Sequence, residues 1–259
     1  VKNTISFLLL FVFILVRFGI AQDSKPEMIS DRPDQTESPY LIPQGALQVE
    51  SGSFFERNHD GNTTIFNVGF KSTLIRYGVN DNLELRLISE YLGEYVDASE
   101  TLSNREGRGP ITLGVKLKLA KQNGAWPQTG LISHIKLRAG SKGFSKSYTA
   151  TSIRVAFSNT LNDKWTLDYN AGLEWNGESP EAIFLGSVSL SYLIATKLTG
   201  FVEGYSFFPE DGLADTRFDS GLMYKLTSTV QLDVMGGFGL CKIAPDYFLA
   251  TGVSMRFLK

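Results

Sequence analysis

The chain has 259 residues, a formal net charge of -2, 25 glycines, 12% aromatic residues and a mean hydropathy of -0.05. That near-neutral balance argues against a nucleic-acid partner, because a phosphate backbone rewards a concentrated basic surface. Cys241 is the only cysteine, which excludes an internal disulfide, a CxxC redox pair and multi-cysteine metal sites.

The first element in chain order is an export signal. Lys2 supplies a positive start, residues 5–16 are almost wholly apolar, and Gly19 and Ala21 stand three and one before a cut at Gln22, the pattern a signal peptidase reads. Residues 1–21 are therefore expected to be a signal peptide. No cysteine follows the cut, which argues against a lipoprotein, and no later stretch approaches the roughly 18 apolar residues of a spanning helix. Periplasm, outer membrane and medium remain as destinations.

Residues 22–44 carry four prolines and several charges, so they do not read as a strand. They lead directly into the first strand, at the periplasmic mouth of any barrel that follows. Two readings stay open. As a plug, the segment would set Arg32 against lumen carboxylates while Asp31, Asp34 and Glu37 meet lumen cations, gating or narrowing a pore. As a tether, it would be a mobile terminus.

From residue 45 onward the sequence alternates in segments of about ten to thirteen residues. Strands are predicted over 45–57, 63–78, 82–95, 110–121, 128–140, 148–160, 164–176, 182–194, 197–208, 217–226, 230–240 and 246–258, an even count of about twelve. The connections at 79–81, 122–127, 161–163, 195–196 and 227–229 are tight and rich in Asn, Asp, Ser and Thr, which favour turns. Between them fall looser connections at 141–147, 177–181, 209–216 and, longest, 96–109. The tight set suits the periplasmic side and the loose set the outside, with both termini periplasmic.

Alternation splits each strand into an apolar and a polar face. Val230, Leu232, Val234 and Phe238 oppose Gln231 and Asp233; Leu83, Leu85 and Leu87 oppose Glu84, Arg86 and Glu90. Period alone does not say which face points inward. Strand length favours lipid, because a tilted spanning strand needs roughly 9 to 11 residues whereas globular strands have a mode of about 5 to 6. Aromatics gather near strand ends, among them Tyr77, Tyr91, Trp165, Tyr192, Phe208, Tyr224 and Phe257, as interfacial girdles require. The closing alternation from Val253 to Phe257 is similar to the C-terminal signal that directs barrels to the outer-membrane insertion machinery, although Leu258 and Lys259 follow the aromatic. The fold class is thus an all-β, transmembrane, antiparallel up-and-down barrel of residues 45–259 in a Gram-negative outer membrane, porin-like in form.

The run Ser30-Asp31-Arg32-Pro33-Asp34-Gln35-Thr36-Glu37-Ser38, with Pro43-Gln44-Gly45 and Leu47-Gln48-Val49-Glu50-Ser51-Gly52, resembles the opening of a family of outer-membrane transporters labelled as a MetA pathway of phenol degradation. Residues 77–86, 113–116 and 245–248 carry further matches. The resemblance implies an outer-membrane barrel with a transport role and favours an ordered opening segment. The phenol label names the family and assigns no substrate.

The polar face places Glu50, Glu56, Lys71, Glu84, Arg86, Glu90, Lys116, Lys118, His134, Lys136, Arg138, Arg154, Asp168, Glu174, Glu203, Arg217, Asp219, Lys225, Asp233 and Arg256 as candidate lumen residues. They line either a narrow path for a small solute or a mutually paired filling. Enzyme chemistry is not expected. The only histidines are His59, in a predicted outer loop, and His134, beside which its own strand places no serine on the same face, so neither an activated serine nor a metal cluster is suggested. Gly236, Gly237 and Gly239 lie in a strand pattern and form no phosphate loop. The sequence therefore leads to a non-enzymatic channel without cofactor or metal. Its expected partners are outer-membrane lipid, the insertion machinery and a small solute, whose hydrophobic or aromatic character is implied by the family resemblance alone. The alternatives are a structural or surface-interaction barrel with a blocked lumen and, less well supported, a lipid-modifying enzyme.

Overall fold

Strands with one oily and one wet face hide neither face in a flat sheet, and closing the sheet on itself resolves this by giving each face its own solvent. In the computed structural model, which describes residues 28–98 and 101–258, the chain does this. Its strands are β1 Leu47–Asp60, β2 Thr63–Asn80, β3 Leu83–Ala98, β4 Thr101–Arg108, β5 Thr112–Ala120, β6 Gln128–Lys136, β7 Ala150–Thr160, β8 Trp165–Trp175, β9 Ile183–Ala195, β10 Leu198–Pro209, β11 Asp215–Lys225, β12 Val230–Gly239 and β13 Tyr247–Phe257. All pair antiparallel, and β1 closes the sheet on β13, from Leu47 opposite Phe257 to Arg57 opposite Tyr247. The expected signal peptide at 1–21, and residues 22–27 of the segment after it, lie outside the described residues.

The barrel wall has twelve staves because β4 and β5 share one of them. β4 pairs with the outer part of β3, from Tyr91 to Ala98, and β5 with the inner part, from Leu83 to Ile88. This corrects the expectation of a long loop at 96–109. The segment TLSNREGR has no apolar face because it rises past the apolar band; Arg105 reaches Glu94 at 2.8 Å and Tyr95 bonds to Glu106. The longest described connection is instead 137–149, since β6 stops at Lys136.

The oily face points out. Leu85, Leu113, Ile153, Leu173, Phe184, Val234 and Phe238 are all exposed, at 44–52% of their surface, while Arg76, Glu84, Lys116 and Asp219 are fully enclosed. A water-soluble barrel would show the reverse. Tyr77, Trp165, Tyr224 and Phe257 are exposed near the end that carries the tight turns, with Trp165 and Tyr192 rings 4.5 Å apart; Phe184 and Phe208 face each other at 5.8 Å toward the other end. Such belts suit the two lipid interfaces. No helix among the described residues is long and apolar enough to cross a membrane.

Two candidate lumen residues lie elsewhere. A β-bulge at Phe70 leaves Lys71 exposed opposite Tyr91, on the outer face. Arg138 lies beyond β6 in the outer connection, exposed, its carbonyl accepting from Lys146 N. His59 lies in β1 rather than in a loop, its Nδ1 3.0 Å from Thr64 Oγ1.

Candidate functional site

The site begins where the chain turns back on itself. Gly45 adopts φ 75°, Ala46 N donates to Pro43 O at 3.0 Å and Gly45 N to Gly78 O at 2.8 Å. A Cβ on Gly78 would lie 2.2 Å from Pro43 O, so only glycine lets the segment pass this close to β2. Residues 28–44 thereby run inside the barrel, along the polar face that the strands turn inward.

The two sides of the lumen grip this segment differently. On the side of β2, β3 and β5, the Asp31 carboxylate meets Lys116 Nζ at 2.7 Å, Arg76 Nη1 at 3.2 Å and Arg86 Nη2 at 3.2 Å. Glu37 meets Arg86 Nη1 at 2.5 Å and Arg154 of β7 at 3.7 Å. Arg76 is further held by Glu50 and Glu84, at 2.9 and 2.7 Å. Asn170 of β8 accepts from Glu37 N at 2.8 Å and donates to its carbonyl at 2.9 Å. On the side of β10 to β12, Arg32 meets Asp233 at 3.1 Å, and Glu203 accepts from Gln35 N at 2.8 Å, Thr36 N at 2.7 Å and Thr36 Oγ1. Each charge-assisted bond of this kind contributes about 1.5–3 kcal/mol.

The electrostatics of the segment follow from these neighbours. Burial pushes the Asp31 carboxyl up, but Arg76, Lys116 and Arg86 outweigh it and hold the group well below the usual carboxylate range. Burial likewise opposes ionisation of Glu37, and Arg86 and His134 overcome it to hold it at about 2. Asp34 is the opposite case. Burial and the nearby acids Glu203, Asp168 and Asp219 push it well above the ordinary aspartate value.

The segment separates two open spaces. On the outer side lies a cavity of about 350 Å³ whose lining includes Glu90, His134, Lys136, Ser152, Arg154 and Glu174. On the periplasmic side, one of about 630 Å³ is lined in part by Tyr40, Pro43, Lys118, Gln128 and Arg256. Lys136 stands at the outer rim, 3.8 Å from Glu90, and Arg256 Nε donates to Gln48 Oε1 at 2.7 Å near the periplasmic end. Across the lumen from β11 to β1, Arg217 bridges Glu56 at 2.8 Å.

Sequence reasoning left Arg76 and Gln48 out of the lumen candidates, and it set Asn170 and Gln231 on a polar face without giving them a role. Arg76 was within reach, because it shares a face with Ser72 and Gly78. Gln48 Nε2 donates to Ile29 O at 2.9 Å and Gln231 Nε2 to Ser30 Oγ at 2.6 Å; an uncharged amide marks a face but not the partner it holds.

The expectation that no serine shares the face of His134 concerned its own strand, and across the pair Ser152 of β7 places its Oγ 3.4 Å from Nδ1. That separation exceeds the roughly 2.6–3.2 Å of a working nucleophile and base, and Nε2 has no hydrogen-bond partner to orient the ring. Among the described residues no group of His, Cys, Asp and Glu could hold a metal ion.

In overall shape the chain is similar to an outer-membrane channel from Pseudomonas putida F1, with a TM-score of 0.69 at 15% identity over 92% of this chain and 100% of that one. It is also similar to the translocator domain of the autotransporter NalP from Neisseria meningitidis (TM-score 0.54, 10% identity, 83% and 90% covered) and to the NanC porin (TM-score 0.52, 11% identity, 82% and 100% covered). At these identities the likeness is one of fold. Among curated proteins, none matches the sequence. A family model matches residues 30–257, from the opening segment to the last strand, and the chain belongs to the family described as "Putative MetA-pathway of phenol degradation".

Proposed function

We propose that this barrel is a gated outer-membrane channel for a small solute, with residues 22–44 as its gate. The observation that supports this most is the character of the contact between residues 31–37 and the wall, which consists of ion pairs and hydrogen bonds, the buried apolar side chains Met28, Pro39 and Ile42 lying to either side of that stretch. Contacts of that kind can exchange for water and salt, so residues 31–37 can leave the wall without exposing a greasy surface. The family description suggests an aromatic or otherwise hydrophobic solute, moved by diffusion and without a cofactor. Outer-membrane lipid around the apolar band and the insertion machinery at β13 complete the set of partners. Enzymatic turnover is no part of the proposal.

Single-channel recording in planar bilayers, with and without residues 22–44, tests the reading. The full chain should conduct rarely and the shortened chain steadily. Silence in both would sink the channel and favour the alternative, a structural barrel whose ion-paired lumen stays blocked; the enclosed Arg76, Glu50 and Glu84 cluster supports that second reading.

A further inference from the structure

Among the described residues, Arg86 and Lys116 make ion pairs only with the inserted segment. Arg86 meets Asp31 at 3.2 Å and Glu37 at 2.5 Å; Lys116 meets Asp31 at 2.7 Å and donates to Ser38 O, also at 2.7 Å. Both side chains are almost fully buried. Withdrawal of the segment would strip both cations of every such partner and leave them to water, counter-ions or an entering carboxylate. Across the lumen, Glu203 is in the complementary position. Its carboxylate accepts from two backbone N–H groups and one hydroxyl, all from Gln35 and Thr36. Beside it an apolar patch of Phe201, Tyr205, Met235 and Phe248 faces inward, with Tyr205 and Phe248 rings 6.5 Å apart.

We propose that the inserted segment stands in for the solute: Arg86 and Lys116 form a carboxylate seat, Glu203 forms a seat for N–H or O–H donors, and the aromatic patch lies on the donor side. The solute class that satisfies all three is a small aromatic acid bearing a hydroxyl or amino group away from its carboxylate. Such a molecule replaces the contacts of Asp31 and Thr36 as it enters, so the solute itself helps to open the gate. A neutral phenol satisfies Glu203 but leaves the cations bare. A simple benzoate does the opposite. The inference rests on the gated-channel reading and narrows its solute.

The test uses the full mature chain carrying Asp31→Asn and Glu37→Gln, which empties the carboxylate seat and leaves the wall intact. The probes are 4-hydroxybenzoate, benzoate and 4-hydroxybenzyl alcohol, read both as current interruptions in planar bilayers and as binding by calorimetry on detergent-solubilised protein. 4-Hydroxybenzoate should bind at least tenfold more tightly than either analogue. Adding Glu203→Gln should remove its advantage over benzoate but leave its advantage over the alcohol. Equal binding of all three probes would overturn the proposal, as would an unchanged preference in the Glu203→Gln background. Selective binding without any current would retain the seat and reject the channel, so the two readings fail separately.

Discussion

The guanidinium of Arg32 occupies the space that a side chain on Gly252 would need. A Cβ there would lie 2.4 Å from Arg32 Nε and 2.6 Å from Nη2, and the three nearest atoms all belong to the end of the Arg32 side chain. Gly52, facing it on β1, is a less selective position, since a Cβ there would also approach Thr251 O at 2.5 Å. Gly252→Ala should therefore push Arg32 off Asp233 without straining the wall. Loss of that charged contact costs docking about 1.5–3 kcal/mol, or roughly one to two orders of magnitude in the closed-to-open ratio. Single-channel open probability should rise accordingly; no change would mean that Arg32 does not hold the gate.

Asp34 gives the gate a pH dependence of defined sign. Its docked pKa is raised by burial and by Glu203 of β10, Asp168 of β8 and Asp219 of β11, so the docked state binds more protons than the released one. Docking is then strongest below the ordinary aspartate value of about 4 and weakens as pH rises toward the docked value. Asp31 and Glu37, held low by cations, contribute docking above the ordinary value and lose it in stronger acid. Above the ordinary carboxylate values only the Asp34 slope remains among these three, and open probability should climb as pH rises toward the docked Asp34 value. Asp34→Asn should flatten that climb, and a profile that keeps its slope in this variant would assign the titration to another group.

How much of this was legible in the sequence depended on which solvent each residue meets. In β12 the outward set Val230, Leu232 and Val234 and the inward set Gln231 and Asp233 could be read directly, because lipid and lumen impose opposite chemistry on neighbouring positions. β4 could not be read that way. It stands beyond the apolar band, so nothing requires alternation there, and it is held by backbone pairing to Tyr91–Ala98. Lys71 was misplaced because one extra residue at Phe70 shifts the register. The charged residues of the opening segment were identifiable as candidates, but their partners were not. Arg32 and Asp233 are 201 positions apart, and Gln35 and Thr36 act through backbone N–H groups that every sequence possesses.

The outward orientation predicts a position-specific cost. Val234 lies within β12, and 52% of its surface is exposed to the surrounding medium. If that medium is hydrocarbon, Val234→Arg should lower unfolding free energy in lipid vesicles by about 2–4 kcal/mol, the penalty for a cation at mid-bilayer. Arginine at Leu102, on the raised β4, should cost under about 0.5 kcal/mol as an ordinary exposed substitution. Denaturant titration of vesicle-embedded protein by tryptophan fluorescence measures both. Equal costs would place the two positions in the same solvent.

The cluster around Arg76 supplies a prediction about specificity rather than net stability. Arg76 donates to Glu84 at 2.7 Å, to Glu50 at 2.9 Å and to the carbonyl of Tyr40 at 3.0 Å, with no solvent at its side chain. Arg76→Met leaves the enclosed Glu50 and Glu84 without their ion-pair partner while Asp31 keeps Arg86 and Lys116, a change that costs about 3–5 kcal/mol because two charges lose their compensation. Converting the carboxylates as well, in Arg76→Met/Glu50→Gln/Glu84→Gln, removes the uncompensated charge and should recover most of that loss in the same denaturant titration. The inserted segment should still be loosened, because Ile29 O and Tyr40 O have lost their donor on β2. A stable triple variant with raised conductance would assign the cluster to holding the gate, whereas a triple variant as unstable as the single one would assign it to holding the wall.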